Sequence, residues 1–403
     1  MFVDATGDIA PDLERSGLVT SAVWSDTNDD GWIDLLVAHE WGPIKFYANH
    51  DGALVDETDV VGLTNYNGWW NGIAARDFDS DGDIDFVATN FGLNTKYRAS
   101  QEKPVYVYFG DYGGNGRMNI VEAKATDGGL LPVRGKSCSS NAMPHLKDRY
   151  KTFRQFATAS LNDIYTDKCL AESLRHEADT LVSGVFLNGG KERDFEFSFS
   201  PLPLLAQISP GFGVVTTEVN GDTDPDIYLV HNFYTPQRET GRMDGGLSSL
   251  LTGSGDGSFE LVPTEQSGLL LAGDAKALTV IDLNDDCQPD FVATRNNDFA
   301  KAFIANQKQE AHWLRVSLRG DKGNADGVGA RVTVRGTGGV KQTAEVTAGG
   351  GYLSQSAAYL FFGVVDAVES IDVRWPDGSS TTFPAEANWK QGGICVLKKE
   401  STK

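Results

Sequence analysis

Oxygen-bearing side chains recur at positions 1, 3, 5 and 9 of four nine-residue segments: DTNDDGWID from Asp26, DFDSDGDID from Asp77, EVNGDTDPD from Glu218 and DLNDDCQPD from Asp282. Calcium is a hard cation that takes about six to eight oxygens, and a loop that adds a carbonyl from position 7 can wrap it. In the second segment Asp77, Asp79, Asp81 and Asp85 supply four carboxylates, the carbonyl of Asp83 falls at position 7, and Gly82 occupies the sharp turn. The first offers Asp26, Asn28, Asp30 and Asp34, the carbonyl of Trp32, and Gly31 at the turn. The third set is Glu218, Asn220, Asp222 and Asp226 with the Asp224 carbonyl, and the fourth is Asp282, Asn284, Asp286 and Asp290 with that of Gln288. In these two, Thr223 and Cys287 stand where glycine ordinarily supplies a positive φ. A weaker fifth unit, DYGGNGRMN from Asp111, has Gly113 at position 3 and Asn119 at position 9, and reads as a turn without a metal. Several carboxylates in one turn repel one another, and a divalent ion reverses the sign of that interaction. Calcium is therefore the expected cofactor, and it should stabilise the fold.

An EF-hand loop begins in the same way but closes on a bidentate Glu at position 12, between two helices. Position 12 here is Val37, Ala88, Leu229 or Ala293, and each segment runs directly into an apolar stretch (LLVAH, FVATN, IYLVHN, FVATRN). Each loop thus feeds a buried strand. An isolated acidic turn needs no metal, because Asp, Asn and Gly favour turns anyway. Four in register weigh against that simpler account. The units recur about 50 to 65 residues apart within each pair, near the length of a four-stranded propeller blade with a long loop. The fold class expected is all-β: a β-propeller of about 5–7 blades over residues 1–310 and a C-terminal β domain over 312–398. Within it, TFRQFATASLNDIY places Phe153, Phe156, Leu161 and Ile164 at helical spacing, and Leu170, Leu174 and Leu181 continue the pattern. This predicts a small helical insertion over about 135–200.

The composition excludes several functions. The chain of 403 residues has 56 acidic against 35 basic side chains, a formal charge of −21 that repels nucleic-acid phosphates and anionic lipid surfaces. Nucleic-acid binding and direct membrane insertion are not expected. A hydrophobic share of 40%, with 8 Trp and 21 Phe, is too apolar for a disordered acidic chain. The four cysteines are too dispersed for a disulfide framework, and Cys138 with Cys169 is the one pair to test as a bridge.

The acidic loops resemble FG-GAP or VCBS repeats of integrin-like propellers, and the order of segments resembles bacterial relatives of cartilage acidic protein. PVRGKSCSSNAMP (132–144), GVFLNGG (184–190), PLPLLAQISPGFGVV (201–215), ETGRMDGGLSSLL (239–251) and GDAKALTVIDLNDD (273–286) carry that likeness. The C-terminal phrases HWLRVSLRGDKGNADGVGARVTV, AGGGYLSQS, FFGV and VRWPDGSS resemble the ASPIC/UnbV domain. The resemblance implies a matrix or cell-surface role and no catalytic residues.

The function expected is a non-catalytic, calcium-binding extracellular scaffold or adhesion-type protein that presents propeller loops to a protein or glycan partner. Loops of extracellular modules saturate at millimolar calcium, which places the chain in an extracellular, cell-surface or periplasmic setting, although Met1-Phe2-Val3-Asp4 has no signal-peptide features. One alternative is a carbohydrate-binding module that stacks sugar rings on Tyr66, Trp69 or Trp70. The other is an unrecognised hydrolase on a propeller scaffold, since paired carboxylates abound. His39-Glu40 opens like a zinc-protease motif, but Pro43 stands at its fifth position.

Overall fold

The computed structural model describes residues 2–237, 240–306 and 312–399; the boundary near residue 310 and Glu239 of the ETGRMDGG phrase lie outside them. Strand makes up 40% of the chain and helix 13%, which puts it in the all-β class. Four antiparallel sheets share one plan. Their first strands are Leu18–Ser25, Ile73–Arg76, Gly211–Thr217 and Ala275–Ile281, and each leads through an acidic loop into a second strand: Asp34–Gly42, Asp85–Ala88, Asp226–His231 or Asp290–Arg295. Alternation is lost in the second strands. Leu35 to Ala38, Phe86 to Ala88 and Ile227 to Val230 are all buried, because both faces of these strands meet a neighbouring sheet.

The first strands stand side by side in chain order, first against second, second against third and third against fourth. This is the propeller-like arrangement that FG-GAP repeats imply. Against an expectation of about five to seven blades, the described residues form four sheets of this plan and one lateral sheet. The lateral sheet comprises Val105–Gly110, Asn119–Thr126, Gly129–Pro132 and Leu174–Ala178, and it is inserted between the second strand of the second sheet and its third, Gly184–Asn188. The Asp111 unit joins its first two strands, so it lies off the ring. Five short helices between Lys136 and Ala171 pack Phe156, Leu161 and Ile164 onto the lateral sheet. Leu174 starts a strand and Leu181 lies in a loop beyond it, so the helical run ends near residue 171. Leucines four residues apart, as at 170 and 174, fit the period of two of a strand as well as that of a helix, which extended the expectation too far.

The C-terminal region forms two sheets around one core that includes Leu314, Val332, Phe362, Ile371 and Trp375. It also enters the propeller. Ala348–Gly349 pairs with Val23 and Trp24 on the inner edge of the first sheet, Gly351 bridges Ile73, and Tyr352 meets Phe212 edge to face at 5.0 Å. The returning chain follows the fourth sheet, where Ala357 donates its N–H to the carbonyl of Val280. This descent requires glycine: Gly349, Gly350 and Gly351 all have positive φ, and a Cβ on Gly349 would overlap the Ala22 carbonyl.

Candidate metal centre

The four acidic loops share a backbone geometry that the sequence reading anticipated only in part. Position 6 takes a positive φ in every loop, 93° at Gly31, 104° at Gly82, 84° at Thr223 and 69° at Cys287. Position 4 does so as well, at Asp29, Ser80, Gly221 and Asp285. The ligand spacing does not mark that position, although all four residue types there suit left-handed turns. The position-5 carboxylate closes a small turn in each loop: Asp30, Asp81, Asp222 and Asp286 accept the N–H of position 7 at 2.7–3.0 Å.

Position 9 is a staple common to all four sheets. Asp34 Oδ2 accepts the N–H of Thr27 at 3.1 Å and its Oδ1 that of Asn49 at 2.9 Å, which ties the loop to the third strand. Asp85 does the same with Phe78 and Asn188, Asp226 with Val219 and Gly253, and Asp290 with Leu283 and Ala305. All four aspartates are fully buried. Burial pushes the carboxyl of Asp34 up to about 7 and those of Asp85 and Asp226 well above the usual range, despite two backbone donors each. A carboxylate has about four lone-pair directions, so the staple leaves oxygen capacity facing the loop.

Positions 1 and 3 separate the loops. Where position 3 is Asn, its amide donates to the position-5 carboxylate: Asn28 to Asp30 at 3.1 Å, Asn220 to Asp222 at 2.7 Å and Asn284 to Asp286 at 2.9 Å. In the same three loops the position-1 carboxylate accepts the N–H of position 6, from Gly31, Thr223 or Cys287. Glu218, longer by one methylene, also collects the N–H groups of Asn220 and Gly221. These loops satisfy much of their own charge with their own hydrogens.

The Asp77 loop lacks that option. Asp79 has no hydrogen to give Asp81, and ligand oxygens of Asp77, Asp79 and Asp85 lie within 4.8 Å of one another. Asp77 is 3% exposed, and its Oδ1 and that of Asp79 are buried with no hydrogen-bond partner. Burial, then repulsion from Asp81 and Asp79, drives the Asp77 carboxyl up to about 7, and burial raises Asp79 and Asp83 too. Clustered carboxylates with two buried, partnerless oxygens are what a calcium ion would satisfy, so these residues fit the metal. Asp81, the fourth carboxylate of the predicted set, lies outside that group and accepts the N–H of Asp83.

All four loops also meet the C-terminal region, through contacts that no local pattern announces. Arg374 reaches Asp26 Oδ2 and lies 3.2 Å from Asp29, Arg331 lies 3.1 Å from Asp29, and Glu345 accepts the N–H of Asp26. Arg315 pairs with Asp282 at 2.6 Å and with Asp285 at 3.0 Å. At the Asp77 loop Lys341 Nζ stands 3.4 Å from the Asp81 carbonyl. In the third loop Thr223 and Gly221 back onto Gly363.

The other candidates sit in packed surroundings. Trp70 is fully buried, with its indole N–H donated to the Tyr66 carbonyl. Trp69 stacks on Phe91 at 4.1 Å, and Tyr66 packs against Phe186 and Phe199. Tyr66 and Trp69 are half-buried and pack against the core from its edge. Cys169 is a free thiol, so it does not bridge to Cys138. His39 is buried, with Nδ1 donating to the Pro43 carbonyl and Nε2 accepting from Ser16.

Comparison with known proteins agrees with this architecture. Residues 26–88 match the family model described as FG-GAP-like repeat, and residues 320–401 match the one described as ASPIC and UnbV. The chain thus carries an FG-GAP-like repeat and a C-terminal ASPIC/UnbV segment, as the resemblance of its loops and C-terminal phrases implied. No curated protein matches it. Among solved structures, it is similar to the V. cholerae biofilm matrix protein Bap1, at 12% identity and a TM-score of 0.16. That alignment covers 92% of this chain and 60% of the other.

Proposed function

We infer that the protein is a non-catalytic, calcium-binding scaffold, exported from the cytosol, whose metal-stiffened propeller presents its loops to a protein or glycan partner. The observation that carries this reading is the Asp77 loop, where three carboxylates converge and two of their buried oxygens have no hydrogen-bond partner. Bringing such oxygens together without a cation costs folding energy, and a ligand that binds only the folded state returns it as RT ln(1 + [L]/Kd). Magnesium suits the site poorly, because it demands octahedral geometry and sheds water reluctantly.

The test is a thermal melt of EDTA-treated protein titrated with calcium and, separately, with magnesium, alongside the metal content per chain. A calcium-selective rise in Tm that disappears in Asp77→Asn supports the reading. An unchanged Tm with no bound calcium overturns it.

A further inference from the structure

The cations already seated in two of the loops come from the chain itself. Arg374 and Arg331 converge on Asp26 and Asp29 across more than 300 residues of sequence, and Arg331 also donates to the Asp26 carbonyl. Arg331 and Arg315 are each 8% exposed, so their guanidinium groups have left water for the loop carboxylates. Buried charge of this kind is stable only when paired. We propose that these arginines occupy the Asp26 and Asp282 loops in place of a divalent ion, so that docking of the C-terminal domain and metal binding at these two loops exclude each other. The proposal rests on the calcium reading of the Asp77 loop for its choice of cation.

The geometry explains the exclusion. In the first loop, Asp26 Oδ2 already holds the Gly31 N–H and Arg374, and a divalent ion placed on it would stand against two guanidinium charges. Its other oxygen, Oδ1, is buried without a partner, so the loop keeps an unused ligand atom that an ion would take once the arginines withdraw. In the fourth loop, Asp282 Oδ2 is committed to Arg315 and the Cys287 N–H. The Asp77 loop differs: Lys341 stands over Gly82 and the Asp81 carbonyl and draws the Asp77 carboxyl down through its charge, but neither it nor any arginine forms an ion pair with the loop's carboxylates among the described residues. The domain therefore works as a cation-sensitive clasp. It closes two loops with its own charge and leaves the Asp77 loop to the metal.

Calcium titration of the full chain by calorimetry tests this, with terbium luminescence excited through tryptophan as a second probe. Trp32, at position 7 of the first loop, would sensitise terbium bound there. The wild type should take up calcium at the Asp77 loop, lose that site in Asp77→Asn, and show no site that Asp26→Asn removes. The Arg331→Gln/Arg374→Gln protein should gain one site per chain, with terbium emission that Trp32→Phe abolishes. If that protein does not fold, Arg315→Gln reads the same gain at the Asp282 loop. A wild type that already fills the Asp26 or Asp282 loop overturns the proposal, as does a folded arginine variant that gains no site. A wild type silent at the Asp77 loop, by contrast, defeats the calcium reading of that loop, while a gain in the arginine variants would still uphold the exclusion.

Discussion

The Asp77 and Asp26 loops are built on one backbone, with the same left-handed residues at positions 4 and 6 and the same buried aspartate stapling the third strand. They part at position 3. Asn28 hands a hydrogen to Asp30, whereas Asp79 meets Asp81 with none to give. Two arginines then pair with Asp26 and Asp29 of the first loop, leaving Asp26 Oδ1 without a donor, and among the described residues no arginine pairs with the second. The demand for a metal is thus set by the hydrogens and cationic side chains a loop can find, and not by its count of aspartates. A buried oxygen with a donor is satisfied. Two orphaned in one loop, as at Asp77 and Asp79, with no ion-paired arginine beside them, call for a cation.

The largest effect should come from breaking what the two loops share. Asp34→Ala and Asp85→Ala each strip the acceptor from two backbone N–H groups at a fully buried position. At about 1–3 kcal/mol for each N–H left unsatisfied, either change should cost about 2–5 kcal/mol in metal-free chemical denaturation. Near-equal losses are expected, because the staple precedes any metal. A loss confined to Asp85→Ala would show that the first loop does not depend on this bond.

The opposite ends of the sheets supply a control in which acid, and not metal, is the variable. His231 in the third sheet is wholly buried, with Nδ1 facing the Ser209 carbonyl and Nε2 the Ser249 hydroxyl, and burial lowers its pKa to about 4, as it does for His39. A histidine depressed in the folded state contributes stability above its unfolded value near 6.5, and loses it as pH falls from there toward 4. By pH 5 each should cost about 2 kcal/mol. His231→Gln should flatten that part of the stability curve in urea melts at pH 7, 6 and 5. The loop carboxylates, raised by burial, give the opposite slope, so the histidine is read from the difference between variant and wild type. An identical fall in both proteins would remove His231 as its source.

Much of this site was legible in the sequence because its information is local. The nine-residue pattern gave the loops, the apolar stretch after each gave the buried second strand, and the repeat gave the propeller-like plan. The ranking of loops was not legible in the same way. Asp26 and Asp77 look alike as lists of ligands, and what separates them is a hydrogen-bond ledger and two arginines that arrive from residues 331 and 374. Contacts over such separations leave no periodic trace. The lateral sheet was missed for a related reason: its strands interrupt the second blade, so they lengthen one repeat without announcing a new unit.

The smallest expected effect is also the sharpest test, because it exchanges the two loops through one atom type. Asp79→Asn should give the second loop the donor that the first already has, pairing the new amide with Asp81 as Asn28 pairs with Asp30. It also removes one of three converging carboxylates. The metal-free protein should gain about 1 kcal/mol, the net worth of a typical hydrogen bond, and calcium should bind more weakly and raise the Tm less. Asn28→Asp should do the reverse without calcium, destabilising the first loop by a similar amount. Its metal response should stay small, since Arg331 and Arg374 still answer the added charge. Denaturation of both variants in EDTA and in calcium measures all four quantities. If Asp79→Asn destabilises the metal-free fold, the self-satisfying amide is not what distinguishes these loops, and the contrast must then lie with the arginines alone.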